Sequence, residues 1–446
     1  MLAKSNPGKR SIMLESNEIS NRVRKLRRSV GGSVSRSYRS WIASLAIAGL
    51  LIVPGPKTVA QQNQLENQDF DPFGQATGLK KSEILDGWLS LFDGQSLYGW
   101  KAESDANWHV ENGELRADRG SMGLLRTTSQ FDDFEIRVEF KSSATTNSGL
   151  FLRTSPKPND PADDCFELNI AQPDQNPFPT GSLVFRVKAE VDLQPDQWNR
   201  YRAVADGNRL KVWVNDRLTV DFQNPKPLGR GYIGLQFREG PIAFRNIVLK
   251  PLNQKAIFNS RDLAGWNTDN QLESQFSVTE QGELRMQNGR GQIETADSFG
   301  DFVFSTECKT NAKGLNSGVF FRCIPGELMN GYESQIENGY KNGDRTQPVD
   351  CGTGGIFRRK DARRIVANDE EWFTKTIVAT GPHFAVWVNG YQVSDWTDKR
   401  KPDANPRKGL RLEKGSLIFQ GHDPTTDVLF KNIRIREITT RRPSTK

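Results

Sequence analysis

Cysteine is scarce in this chain, and the scarcity excludes a good deal. Four occur in 446 residues, with no Cys-x-x-Cys and no Cys/His spacing, so neither a disulfide framework nor a zinc signature is present. Cys165 stands alone in its half of the chain, and among Cys308, Cys323 and Cys351 only Cys323 with Cys351 is left open as a pair. Histidine numbers three, which leaves few candidates for imidazole chemistry. Long apolar runs are missing too: Trp41 to Val53 gives thirteen apolar or small residues, short of the roughly 20 that a membrane-spanning helix needs. No stretch between residues 88 and 440 sustains a helical period over three turns, which argues against a helical or α/β fold. The body of the chain also lacks surplus charge. Residues 1–40 hold ten Lys or Arg against two acids, while the whole chain is only +7, so a basic face for nucleic acid is not expected.

What is present begins with that basic stretch. It precedes the short apolar run, then Pro54-Gly55-Pro56, then Thr58-Val59-Ala60 with compact residues at the −3 and −1 positions of a cleavage site. Residues 1–60 therefore read as a signal peptide removed after Ala60, which implies export to the periplasm or beyond and no stable membrane span afterwards. An uncleaved anchor is the alternative, and the missing apolar residues after Arg27-Arg28 weaken a twin-arginine reading. Residues 61–87 are polar and read as a flexible tether.

Beyond the tether the chain repeats itself. Leu91-Phe92-Asp93-Gly94 through Gly99-Trp100 returns as Ile257-Phe258-Asn259-Ser260 through Gly265-Trp266. Asn147-Ser148-Gly149 with Arg153 returns as Asn316-Ser317-Gly318 with Arg322, Trp213-Val214-Asn215 as Trp387-Val388-Asn389, and Phe244-x-Asn246-Ile247 as Phe430-x-Asn432-Ile433. Each copy is long enough to bury its own core. Short alternating runs such as Phe134–Phe140 and Leu210–Val214 predict strands with one wet face, and Asn112-Gly113, Asp206-Gly207 and Asn389-Gly390 predict tight hairpins. The expected fold is all-β, two antiparallel sandwiches over 88–252 and 253–440 with a tail at 441–446, closely spaced and sharing a contact. Trp100, Trp266, Trp213 and Trp387 recur so regularly that core packing is their expected role.

The Phe-Asp-Gly…Gly-Trp opening, the Asn-Ser-Gly-x-Phe-x-Arg strand, Tyr332-Glu333-x-Gln335-Ile336, Thr353-Gly354-Gly355-Ile356-Phe357 and the Phe-x-Asn-Ile ending together resemble the 3-keto-disaccharide hydrolase domain family, also described as 3-keto-glucoside lyase and 3-keto-2-hydroxyglucal hydratase domains. The resemblance implies a concanavalin A-like jelly roll and cleavage of a 3-keto-glycoside. A ketone at C3 acidifies the C2 proton, so a base can form an enolate, the glycosidic oxygen leaves C1, and water then adds to the glucal. Such chemistry needs a base, a donor for the leaving oxygen and positive charge near the enolate. It requires no cofactor, and a divalent ion near the enolate is left open.

Alternation along Gly331–Glu337 places Glu333, Gln335 and Glu337 on one face. On an arbitrary antiparallel strand that face would be solvated; the resemblance makes it the site. Glu333 and His422 are the candidate base and acid, in either order, and Arg322 the guanidinium that holds Glu333 ionised or stabilises the enolate. Arg322 could instead simply pair with a neighbouring carboxylate. Gln335, Glu337, Asn316, Asp344 and Gln420 are the expected sugar contacts, with the loop Lys341–Arg345 and the turn Gly352–Gly355 nearby. Glu333 and Glu337, roughly 7 Å apart on one strand, form a formal pair for ordinary glycoside hydrolysis. In the first copy Glu167 matches Glu333, Asn169 matches Gln335, Ile170-Ala171 lacks the acid, and Arg238 stands where His422 does. A guanidinium exchanges no proton near neutral pH, so activity is expected in the second copy, and ligand binding through Arg153, Glu167 and Arg238 in the first. The competing expectations are a non-catalytic, lectin-like carbohydrate binder and a structural adhesion module.

Overall fold

Alternation resolves into pleated strands as the period of two requires: along Phe134–Ser142 buried and half-buried residues take turns. The computed structural model describes residues 78–269 and 271–438. The expected leader, most of the tether and the tail 441–446 lie outside them. Among the described residues only Lys81–Leu85 and Pro161–Asp164 are helical.

Each copy forms an eight-stranded sheet packed on a five-stranded one, and neighbouring strands within these sheets are antiparallel. In the first copy the large sheet runs Arg217–Gln223, Arg209–Val214, Trp198–Asp206, Phe134–Ser142, Ile242–Pro251, Glu114–Ala117, His109–Glu111. The second copy repeats this order with Tyr391–Thr397, His383–Val388, Phe373–Thr380, Phe302–Thr310, Asp427–Glu437, Leu284–Gln287, Gln275–Val278. Its small sheet runs Trp266–Thr268, Gly291–Thr295, Ser416–Gly421, Ser317–Cys323, Tyr332–Ile336, so the strand carrying Glu333 is an edge. Main-chain bonds from the segment after Asp350 cover that edge: Gln335 N–H donates to Gly355 O and Gly354 N–H donates to Gln335 O, both at 2.9 Å. Asn112-Gly113 and Asn389-Gly390 take positive φ at both residues and close two-residue hairpins. Near Asp206-Gly207 the turn sits one residue later, at Gly207-Asn208, because Asp206 pairs with Arg209.

The two copies meet. Trp387 is 1% exposed, yet it packs against the core of the first sandwich, edge-on to Phe131, and its indole donates to Ser90 O at 2.9 Å. Val303, Val378 and Ala385 join it there. Arg436 bridges to Asp132 and Asp133, Arg363 to Asp93, and Arg230 to Asp301. The expectation of core packing holds for Trp100 and Trp266 and is corrected for the other two tryptophans. Trp387 belongs to the seam, whereas Trp213 is half-buried beneath Arg202.

Residues 78–87, assigned to the tether by composition, are packed: Leu79 and Ile84 are buried with Trp88 and Val248, and Glu83 pairs with Arg137. The four cysteines are buried free thiols. The Cys323–Cys351 pairing does not form, since Cys323 packs among Phe320, Met329 and Ile418.

Candidate functional site

Glu333 and Gln335 project from the edge strand away from the sandwich core, because Tyr332 and Ile336 take the inward positions. They face a cleft of about 490 Å³ on the outer surface of the small sheet. Neighbouring strands add Phe320 and Gln420, and residues just beyond the strand ends add Asn316 and His422. The covering segment contributes Asp350, Phe357, Arg358 and Arg359, and a loop from the large sheet contributes Arg407.

The Asn-Ser-Gly phrase acquires a physical meaning here. A Cβ at Gly318 would stand 2.6 Å from Glu333 Oε1, so only glycine lets the carboxyl lie across the neighbouring strand. Glu333 is 9% exposed. Burial, reinforced by Asp350 and opposed by Lys375, Arg407 and Arg358, pushes its pKa up to about 8. Gln335 donates to Asp350 at 2.9 Å and to Asn316 at 3.2 Å. The Oε1 atoms of Gln335 and Gln420 are buried without a donor, so both are unpaired acceptors in the wall of the cleft. His422 is half-exposed, with Nδ1 2.9 Å from Asp423 Oδ2.

Behind the edge strand lies a group that the sequence reading missed. Lys375 is fully buried in the sandwich interior and donates to Ser334 O at 2.9 Å and Gln335 O at 2.6 Å. Burial lowers its pKa to about 8. In the first copy Tyr201 occupies the matching register, opposite Val214 as Lys375 is opposite Val388, and its hydroxyl donates to Asn169 O at 2.5 Å. Each copy thus clamps the glutamate strand from within.

Several expected site residues are elsewhere. Arg322 does not meet Glu333. It sits at φ 49 in a β-bulge that breaks the pleat between Phe320 and Cys323. The bulge sends its guanidinium to Asp301 at 2.6 Å and to the carbonyls of Gly381 and Arg411, over the Phe384 ring, fully buried. Arg153 does the same at φ 53, with Asp133 and Gly207 O. For both, the carboxylate-pairing alternative describes the geometry. Asp344 is half-buried and spends its carboxylate on Thr346 and Gln347 within its own loop, outside the cleft. Glu337 shares the face of Glu333 but turns to the Gly339 N–H at 2.9 Å. Burial raises its pKa.

On the first copy's matching face, Glu167 is buried, its pKa raised to about 7 by desolvation against the opposing charge of Arg238. Asn169 donates to Phe178 O. Asp350, Arg290, Arg358, Arg359 and Arg407 had escaped notice because they come from loops far apart in sequence. Two signals were available: Arg358 replaces Phe185 in the aligned turn, and Lys375 occupies an inward phase between Phe373 and Ile377.

Among the described residues no group of three or more His, Cys, Asp or Glu is placed to hold a metal ion, and no helix is long and apolar enough to cross a membrane.

A jelly-roll sandwich whose small sheet carries a carboxyl, amides and an imidazole around a cleft defines a class of carbohydrate-active proteins. The chain belongs to the 3-keto-alpha-glucoside-1,2-lyase-like domain family, which matches it twice, over residues 87–250 and 253–436. It is 24% identical over 212 residues to a 3-keto-disaccharide hydrolase of Bacteroides thetaiotaomicron, covering 42% of this chain and 68% of that one. Among solved structures, a presumed glycosyl hydrolase from Parabacteroides distasonis matches at 25% identity and a TM-score of 0.33, over 42% of this chain and 100% of the other. The β-agarase B of Zobellia galactanivorans matches at 13% identity and a TM-score of 0.30, over 42% and 94%. Membership of that family makes the protein a carbohydrate-active one.

Proposed function

We propose that the second sandwich cleaves 3-keto-glycosides by elimination and hydration. The observation that carries this reading is Glu333, a carboxyl buried at the floor of a polar cleft with its pKa raised to about 8. At neutral pH it is largely protonated, the form that can hand a proton to a leaving glycosidic oxygen. His422 is the complementary base. With its Nδ1 proton directed to Asp423, Nε2 keeps the lone pair that removes the C2 proton. The electron pair moves from the C2–H bond into the enolate; its collapse forms the C1=C2 bond and expels the C1 oxygen, which takes the proton of Glu333. Water then adds at C1, and a proton returns to C2. The arginines of the cleft supply positive charge near the enolate oxygen, the role first expected of Arg322. Gln335 and Gln420 receive sugar hydroxyls. Ordinary hydrolysis by Glu333 with Glu337 fits less well, since Glu337 is engaged with Gly339.

The test is incubation of the protein with 3-keto-trehalose, 3-keto-sucrose and the unoxidised sugars, following release of the second sugar and a transient glucal chromophore. Cleavage restricted to the keto forms is expected. Saturable binding without turnover would instead select a lectin-like protein. We propose in addition that the protein is exported and begins at or near Gln61; an intact Met1 on protein recovered from a soluble cytoplasmic fraction would overturn this.

A further inference from the structure

The lining of the cleft is unbalanced in charge. Arg290, Arg358, Arg359 and Arg407 line it against two acids, Glu333 and Asp350. All four arginines are exposed, and none forms an ion pair with a described carboxylate. Arg359 donates to the carbonyls of Arg358 and Arg407, and Arg407 to that of Met329. These bonds fix Arg359 and Arg407, and neither these two nor Arg290 and Arg358 have a described carboxylate paired with their charge. Arg400, close by, is neutralised by Asp398 at 2.8 Å, which sets the cleft arginines apart. Grouping like charges costs energy unless a ligand answers them.

The comparison within the chain points the same way. The turn carrying Arg358 is built like its counterpart, with bridges Ser334–Ile356 and Ile356–Lys360 matching Leu168–Leu183 and Leu183–Val187. At the same left-handed position, φ 56 in one copy and φ 60 in the other, stand Arg358 and Phe185. Phe185 is 62% exposed and edge-on to Phe178 at 5.7 Å. One backbone therefore presents an aromatic ring in the first copy and a cation in the second.

We infer that the second cleft selects a sugar bearing an anionic group, a carboxylate or a sulfate, held by Arg358 and Arg407 while its hydroxyls meet Gln335 and Gln420. Guanidinium forks suit both anions, and the cleft is of ligand size. The reaction at Glu333 is taken from the reading above; the charge selection is additional to it.

The experiment is calorimetric titration of the protein with D-glucuronate, D-glucose 6-sulfate and D-glucose at low and high salt, with Arg358→Phe and Arg407→Gln alongside. At least one anionic sugar is expected to bind about tenfold or more tighter than glucose, the scale of a charge-assisted hydrogen bond. The preference should shrink with salt and in each variant. Which anion shows it separates carboxylate from sulfate selection. Glucose binding as tightly as both anions, or a preference undiminished in both variants, overturns the inference. If 3-keto-trehalose is turned over without any anionic preference, the inference falls and the reaction stands. If glucuronate is preferred but no 3-keto-glycoside is cleaved, the inference stands and the reaction falls.

Discussion

The two sandwiches place a glutamate at the same point of the same edge strand and then surround it differently. Glu167 has Arg238, Asn169 and the Phe178–Phe185 pair about it; Glu333 has His422, Gln335, Asp350 and a cationic wall. Even the clamp behind the strand differs, a phenol in one and a buried amine in the other. What does not differ is the frame: strand order, the bulged arginine, its aspartate and the asparagines at φ 49 and φ 51 recur. Duplication has held the backbone and released the face, so the residues that differ on that face, rather than those that recur, are where a division of labour would lie.

The comparison can be broken first at the shared frame. Arg322→Met leaves Asp301 without its deepest buried partner, and Arg153→Met does the same to Asp133. Each should cost about 3–5 kcal/mol in denaturant unfolding, the range for breaking a buried pair. A marked drop in only one copy would show that the frames are not equivalent. At the seam, Trp387→Ala should cost about 3 kcal/mol or more, whereas Trp213→Ala, at a half-buried position, should cost under about 1 kcal/mol by chemical denaturation. At the faces, Glu333→Gln and His422→Ala should each lower kcat/KM for a 3-keto-glycoside about a hundredfold or more. Glu167→Gln should stay within a few-fold, and equal losses would make both sandwiches enzymes.

A last expected effect is on pH-dependent stability. Burial pushes the Glu333 carboxyl up to about 8 from its ordinary 4.5, so the folded state binds the proton more tightly. Its contribution is fully present below 4.5 and is lost as pH rises through the interval to 8, by up to about 1.4 kcal/mol per pH unit. Unfolding free energies from pH 5 to 8 should therefore fall less steeply in Glu333→Gln than in the parent. In Glu167→Gln the relief should end near pH 7.

The fold was legible because strand alternation and hairpin chemistry are local. Phe134–Phe140 and Asn389-Gly390 carry their own conformational instructions, and the repeat doubles the signal. Within the site, the residues on strands came through by phase: Glu333, Gln335 and Gln420 follow the period of two. Arg322 and Arg153 did not, because a one-residue bulge reverses phase and depends on Asp301 and Asp133, neighbours about twenty positions away. Asp344 was misplaced for the opposite reason, since a polar loop residue can satisfy itself with Thr346 and Gln347. Asp350, Arg358 and Arg407 meet only after the covering segment folds over the edge strand, and no local pattern announces that meeting.

Trp387 has a consequence for how such a chain could arise and be taken apart. Its indole is saturated by Ser90 and its ring closes on Phe131, so the copy with the cleft contributes a piece of the other copy's interior. Severed at the connection near Leu252, that half would present Trp387, Val303, Val378 and Ala385 as a sticky apolar patch, prone to self-association. The pair should melt as a single cooperative body. A lineage that has once made this graft cannot discard the first copy without first repainting the surface beneath it.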